Sequence, residues 1–158
     1  MLALSVLALL VESISVSPSK PFDFSERTLV ATLHAEGAQV YECLPSASGG
    51  RLDWAFREPV ATLIDKGTTV GRHFAGPRWA LDDGSLVRAR VTQTFAGPTP
   101  IDIPLLKLDV IENARRGRLG AASEVYRVNT HLGVLQGSCS KLGELRSMPY
   151  SADYIFAR

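Results

Sequence analysis

Apolar and polar residues alternate one by one along several short segments of this chain, with the period of a half-buried β-strand. The segments that show this alternation are 52–57, 85–95, 124–130 and 150–156. In the first of them Leu52, Trp54 and Phe56 share one face, so we interpret Trp54 as a core residue. The opposite faces carry mostly polar or small residues, which predicts antiparallel strands with one side toward a core.

Glycine and proline divide the rest of the chain into short segments, as they do in all-β sandwiches and barrels. The first predicted strand is 39–44, Pro59 is predicted to end the second, and Asp-Lys-Gly at 65–67 predicts a hairpin turn. The apolar run 105–111 fits a strand or a short helix, and the nearby prolines favour the strand. The predicted fold is an all-β domain over residues 20–158, an antiparallel β-sandwich or flattened barrel.

The beginning of the chain has the pattern of a targeting segment. The apolar run 2–11 is shorter than the roughly 20 residues that cross a bilayer, and Ser13 and Ser15 fit a cleavage site. No lysine or arginine precedes Lys20, so a buried N-terminal helix is the alternative. A signal peptide at residues 1–19 is expected, and with it a secreted protein, extracellular or periplasmic, that has no membrane span.

The chain has 2 cysteines, Cys43 and Cys139. In a secreted protein an even pair predicts a disulfide, which would also remove both thiols as nucleophiles. Two free buried thiols are the alternative. Neither cysteine has a second cysteine or a histidine at the spacing of a metal site.

The charged residues almost balance, with 17 lysines and arginines against 16 aspartates and glutamates and a net charge of +1. A protein with so little net charge has no overall field to attract nucleic acid, so no nucleic-acid partner is expected. Hydrophobic residues make up 46% of the chain, which is enough to form a folded core rather than a disordered segment.

Six separated blocks of sequence resemble, in order, the secreted domain-of-unknown-function family numbered 3455. The blocks are GAQVYEC at 37–43, WAF at 54–56, VGRHFAGPRW at 70–79, DGS at 83–85, RVNT at 127–130 and PYSADYIF at 149–156. The resemblance implies a secreted protein and carries no established activity. The chain departs from the family pattern at Leu105, where an aromatic residue is common, and at His131-Leu132, where a paired glycine is usual.

His73 and Trp79 are the first candidate site residues, because His73 is predicted near a strand end and a Gly-Pro turn would place Trp79 beside it. An indole face and an imidazole together can bind a sugar or another small polar ring. In the alternative interpretation His73 caps the turn and Trp79 belongs to the core.

Arg127 and Asn129 are the second pair of candidates, since alternation would put both on one face of a strand. A guanidinium and a carboxamide offer directed donors for a carboxylate or a sugar hydroxyl. Alternatively, Arg127 pairs with an acid on a neighbouring strand and Asn129 orders a turn.

The sequence contains no recognisable catalytic set. There is no GxSxG elbow, no HExxH and no GxGxxG after a strand, so no catalytic residue, metal site or cofactor is predicted. Three function classes stay open: a non-enzymatic binding domain for a small polar ligand or surface glycan, an envelope-associated domain that binds another extracellular protein, and an extracellular enzyme with His73 as general base.

Overall fold

The structure, a computed structural model, describes residues 21–158. The predicted signal peptide at 1–19 lies outside the described residues. Eight β-strands, β1 to β8 in chain order, are Leu29–Pro45, Leu52–Asp65, Thr68–Phe74, Arg78–Leu81, Leu86–Phe95, Leu105–Asn113, Glu124–Leu132 and Leu145–Ala157. No helical segment in this part of the chain has the length and hydropathy needed to cross a membrane.

Each strand pairs antiparallel with the next, and β8 pairs antiparallel with β1, so the sheet closes into a barrel. The predicted antiparallel all-β fold is confirmed, with the barrel as its form. The segment 105–111 belongs to β6, as its prolines indicated. Because side chains alternate along every strand, one residue in two points into the barrel.

The last strand shows this alternation clearly. The residues of β8 that were predicted to share one face are all buried, and they are Tyr150, Ala152, Tyr154 and Phe156. The turn at 65–67 is also as predicted, since Lys66 and Gly67 both have positive φ angles, 49° and 81°. Two successive positive φ angles match the right-handed twist of the two strands that they join.

Pro59 does not end a strand, contrary to the prediction. It lies inside β2 and pairs with Gln39 of β1. On its other side, β2 pairs with β3 only from Ala61 onward. A proline is tolerated there because that edge of the strand has no neighbour that would need its missing N–H group.

The interpretation of Trp54 as a core residue is wrong. Leu52 and Trp54 are only half-buried, and Phe56 is 54% exposed. β2 begins its pairing with β3 only at Ala61, so on that side the segment 52–56 has no neighbouring strand to shield its side chains. Trp54 is instead covered by the guanidinium of Arg146, whose Cζ lies 4.8 Å from the ring centroid.

A packed core fills one part of the barrel interior. Its largest members come from seven strands and the loop before β7, and they are Leu33, Leu63, Trp79, Val87, Leu108, Leu119, Val125, Tyr154 and Phe156. Outside the barrel, Phe22 and Phe24 pack on Tyr126, which points outward from β7. The segment before β1 therefore covers the outer face of β7 and leaves the interior free for other side chains.

Cys43 and Cys139 form a disulfide with a Cα–Cα distance of 5.9 Å, which confirms the predicted pair. Cys43 lies in β1, and Cys139 lies in the long connection between β7 and β8. Backbone hydrogen bonds hold the same connection to the barrel, from Cys139 N to Leu52 O at 3.0 Å and from Trp54 N to Gly137 O at 3.1 Å. The disulfide thus fastens the longest described loop to the ends of β1 and β2.

Candidate ligand-binding site

The barrel encloses a cavity of about 460 Å³ beside its packed core. Most of the wall is apolar, with Ile103, Leu106 and Leu108 among its residues. Apart from the tyrosines Tyr41 and Tyr154, the polar residues of the wall are Gln39, Arg57, His73 and Arg127. Phe56 and Val91 also line the cavity although they are 54% and 43% exposed, so they mark its opening to solvent.

His73 and Trp79 meet inside the barrel as a stacked pair. They are direct partners in the β3–β4 pairing, and their rings lie 4.6 Å apart and only 9° from parallel. Tyr154 of β8 closes the group from across the barrel, 4.8 Å from the His73 ring and 5.3 Å from the Trp79 ring. The predicted proximity of His73 and Trp79 is confirmed, but both rings are buried in the wall of the cavity and neither is exposed at the surface.

The tautomer of His73 follows from its hydrogen bond. Its Nδ1 lies 2.8 Å from the carbonyl oxygen of Arg78, which can only accept, so Nδ1 carries the proton. Burial lowers the pKa of His73 from 6.5 to about 3, and the charge of Arg127 acts in the same direction. Near neutral pH the ring is therefore uncharged, and Nε2 is a hydrogen-bond acceptor.

This buried neutral histidine predicts a loss of stability in mild acid. Because its pKa is 6.5 in the unfolded chain and about 3 in the fold, only the unfolded state takes up the proton between those values. The free energy of unfolding should therefore fall by about 2 kcal/mol between about pH 7 and about pH 5 through His73 alone. Urea unfolding at a series of pH values measures this slope.

The matched control for that measurement is His34, which lies half-buried on the outer side of the barrel. His73→Gln should flatten the pH dependence, whereas His34→Gln should leave most of it in place. Equal slopes for the unmodified protein and His73→Gln would show that His73 does not titrate in this way.

Arg127 of β7 points into the barrel and is only 9% exposed. Its Nε donates to the carbonyl oxygen of Pro104 at 2.9 Å. None of the ion pairs among residues 21–158 includes Arg127, so the alternative in which it pairs with an acid does not hold. A buried guanidinium without a carboxylate leaves a positive charge in the wall of the cavity.

The charge of Arg127 affects the pKa values of three neighbouring side chains. Burial raises the pKa values of Tyr150 and Tyr154, and in both cases the charge of Arg127 opposes the rise. The same charge adds to the effect of burial in lowering the pKa of His73. Side chains from β3, β7 and β8 therefore share one positively charged region in the interior.

Two more hydrogen-bond donors of the cavity wall lack partners within the described part of the chain. They are Nε1 of Trp79, which is fully buried, and Nε2 of Gln39, whose side chain is 2% exposed. An unsatisfied buried donor costs about 1–3 kcal/mol, so such groups are uncommon unless a ligand or water completes them. These donors and the guanidinium all suit a group with acceptor oxygens.

Asn129 lies on the outer surface of the barrel. Its φ angle of 49° and an irregularity in the β7–β8 pairing turn it away from the interior. Its Nδ2 donates to Oδ2 of Asp153 at 2.7 Å, and Nδ1 of His34 lies 2.7 Å from Oδ1 of the same carboxylate. The expectation that Arg127 and Asn129 share a face is wrong, because this bulge breaks the alternation on which it depended.

Gln39 and Tyr154 are wall residues that sequence reasoning did not select. Gln39 lies on the same face of the predicted strand 39–44 as Tyr41 and Cys43, so its inward direction could be predicted from the pattern. Tyr154 was on a predicted apolar face, but that face gave no sign that it borders a cavity. Within residues 21–158, no three histidine, cysteine or acidic side chains cluster as metal ligands would.

Comparison with known proteins gives a family and nothing further. A family model described as "Protein of unknown function (DUF3455)" matches residues 24–158, nearly all of the chain that the structure describes. No curated protein and no solved structure matches the chain. The resemblance carried by the six sequence blocks is thereby confirmed, and it assigns no ligand or activity.

Proposed function

Because this chain belongs to the family of proteins of unknown function DUF3455, which supplies no activity to carry over, we propose a function from the geometry of the barrel. The protein binds one small organic ligand in its interior cavity and does not transform it chemically. Eight-stranded barrels of this size are either filled by side chains or hold one small ligand. This barrel has a cavity of about 460 Å³, which is within the range of small-molecule sites.

The observation that carries the proposal is the chemistry of that cavity. A mainly apolar wall surrounds a few convergent polar groups, and among these Arg127, Gln39 and Trp79 have N–H groups beyond those that the fold uses. A wall of this kind is typical of a binding site, because apolar contact supplies affinity and a few polar groups supply orientation.

The burial of His73 and Trp79 favours an enclosed ligand over a surface glycan. The two rings are 3% and 0% exposed and cover each other, so neither offers a free face to a sugar at the surface. Burial also weakens the case for catalysis, because a histidine whose pKa is lowered to about 3 is a poor general base near neutral pH.

The disulfide supports a secreted location as part of the same proposal. Structural disulfides persist in oxidising compartments and are rare in the cytosol. Partition of the protein between cell and medium, measured with and without residues 1–19, tests this part separately.

Binding can be tested with a neutral naphthalene dye whose fluorescence rises in apolar surroundings. The dye should bind the full chain with one site per molecule, and Val91→Trp should weaken it at least about tenfold because the larger side chain narrows the opening. Val91 is 43% exposed and lines the cavity.

Val60→Trp is the matched control, because Val60 is 54% exposed but is not part of the cavity wall. It should leave the affinity for the dye within about twofold of the unmodified protein. If neither the dye nor any other apolar probe binds, or if both tryptophan variants weaken binding equally, the cavity is not the binding site.

A further inference from the structure

The polar groups of the cavity wall are unbalanced in charge. Arg127 and Arg57 both line the cavity, and no aspartate or glutamate of residues 21–158 does. Arg57 is 46% exposed in its side chain and has Glu42 and Glu58 within 3.5 Å and 3.3 Å. Its charge is therefore already compensated at the rim, and Arg127 is the cation of the cavity wall that has no counter-ion among the described residues.

Resting on the function proposed above, we propose that the ligand is a small organic monocarboxylate, with its carboxylate bound by the guanidinium of Arg127 and its apolar body in the cavity. The Nε–H of Arg127 is committed to Pro104 O at 2.9 Å. The terminal nitrogens of the guanidinium still offer donors in the planar arrangement that matches the two oxygens of a carboxylate.

Charge matching favours a carboxylate over a phosphate or a neutral head group. One buried guanidinium is neutralised by one negative charge, whereas a phosphate dianion would leave an excess negative charge among buried tyrosines. A neutral head would leave Arg127 uncompensated, which is costly inside a protein. The N–H groups of Trp79 and Gln39, which have no partner within the described residues, are further donors for carboxylate oxygens.

The wall also defines the rest of the ligand. Phe56, Val91, Ile103, Leu106 and Leu108 provide apolar contact on the side of the opening and on the strands beside Arg127. Arg127 pairs directly with Leu106 of β6 and Tyr154 of β8, so these two side chains flank it in the cavity wall. A ring or a short branched chain therefore fits better than a polar sugar acid.

The charge that attracts the anion comes from Arg127 and not from His73, which gives the site a characteristic pH profile. The groups around His73 are Trp79 on β4, Arg127 on β7 and Tyr154 on β8, and none of them changes charge between about pH 6 and about pH 9. Carboxylate affinity should be constant over this range. A site that used a protonated histidine would lose affinity as the pH rises through about 6.5.

A matched pair of probes separates the carboxylate from the apolar body. A naphthalene carboxylate and the corresponding uncharged naphthalene carboxamide have the same ring and nearly the same shape. In titration calorimetry with the full chain, the carboxylate should bind at least about thirtyfold more tightly than the carboxamide. Arg127→Gln should remove most of this preference and change the carboxamide affinity by no more than about threefold.

Three further variants serve as controls. Arg127→Lys keeps the charge but loses the planar pair of donors, so it should retain an intermediate preference. Arg72→Gln and Arg90→Gln, on exposed positions of β3 and β5 outside the cavity wall, remove the same charge elsewhere and should each change the preference by no more than about twofold.

The outcomes distinguish this inference from the proposed function. If the neutral dye binds but the carboxylate is not preferred, or if the preference survives Arg127→Gln, the carboxylate assignment is overturned and ligand binding stands. If no probe binds, the proposed function itself fails. Should Arg127→Gln not fold, the carboxylate preference and pH profile of the unmodified protein and of Arg127→Lys decide the question.

Discussion

Replacing both Cys43 and Cys139 by serine should lower the free energy of unfolding by about 4 kcal/mol. The bond joins residues that are 96 positions apart, so it removes many conformations from the unfolded chain. It also fastens the β7–β8 connection to the ends of β1 and β2, where hydrogen bonds alone would otherwise hold it. Chemical unfolding of the oxidised protein and the double variant measures the difference.

The appropriate control is the unmodified protein with its disulfide reduced. It should unfold near the midpoint of the double serine variant, because both lack the same cross-link. A thermal midpoint lowered by about 10 °C is the corresponding result on heating. If oxidised and reduced protein unfold together, the β7–β8 connection is held by its hydrogen bonds and the cross-link contributes little.

The strands that sequence reasoning predicted best are those whose inward faces meet the packed core. β8 is the example: Tyr150, Ala152, Tyr154 and Phe156 alternate with polar or less buried positions, and all four are buried. Such a strand has one face on the core and the other in solvent, so the alternation of apolar and polar residues shows which side chains point inward.

The first half of β2 shows where the pattern misled. Leu52, Trp54 and Phe56 alternate as regularly as the residues of β8, yet they lie where β2 extends past the start of its pairing with β3. Pro59 was predicted to break the strand, and it is accommodated at the same unpaired edge. Strand ends of this kind depend on the relative lengths of neighbouring strands, which local sequence does not contain.

The cavity was beyond sequence reasoning for a related reason. Arg127 and His73 lie 54 positions apart in the chain, and they approach each other only because β8 closes the ring against β1. Selecting both as candidates was possible from residue type, but placing them in one interior was not. Asn129 does not share the interior with Arg127, because a single bulge turns its side chain to the outer surface. The residue pattern of RVNT gives no sign of this bulge.

The same donors that suit a ligand reduce the stability of the empty barrel. The unpartnered N–H groups of Trp79 and Gln39 and the uncompensated charge of Arg127 are costs that a fully apolar interior would avoid. Such groups are typical of binding sites, where stability is given up for recognition. A carboxylate bound at Arg127 should accordingly raise the thermal midpoint as well as occupy the cavity.

The two tryptophans of the chain provide the sharpest comparison of wall and surface. Trp79→Ala should lower the free energy of unfolding by about 4 kcal/mol, because Trp79 is fully buried and its loss leaves a large void. Trp54→Ala should cost only about 1 kcal/mol, since Trp54 is half-buried beneath Arg146. Chemical unfolding of both variants measures this contrast.

Added indole then distinguishes a cavity wall from an ordinary core position. In Trp79→Ala the void joins the existing cavity and its opening, so indole should enter and recover part of the lost stability, by an amount that rises with indole concentration. In Trp54→Ala it should have no such effect, because no enclosed space is created there. Trp79→Leu, which loses less volume, provides the same test if the alanine variant does not fold. Two results would contradict this role of Trp79 as the wall between the core and an accessible cavity. One is an equal loss of unfolding free energy in the two alanine variants, and the other is no response of either Trp79 variant to indole.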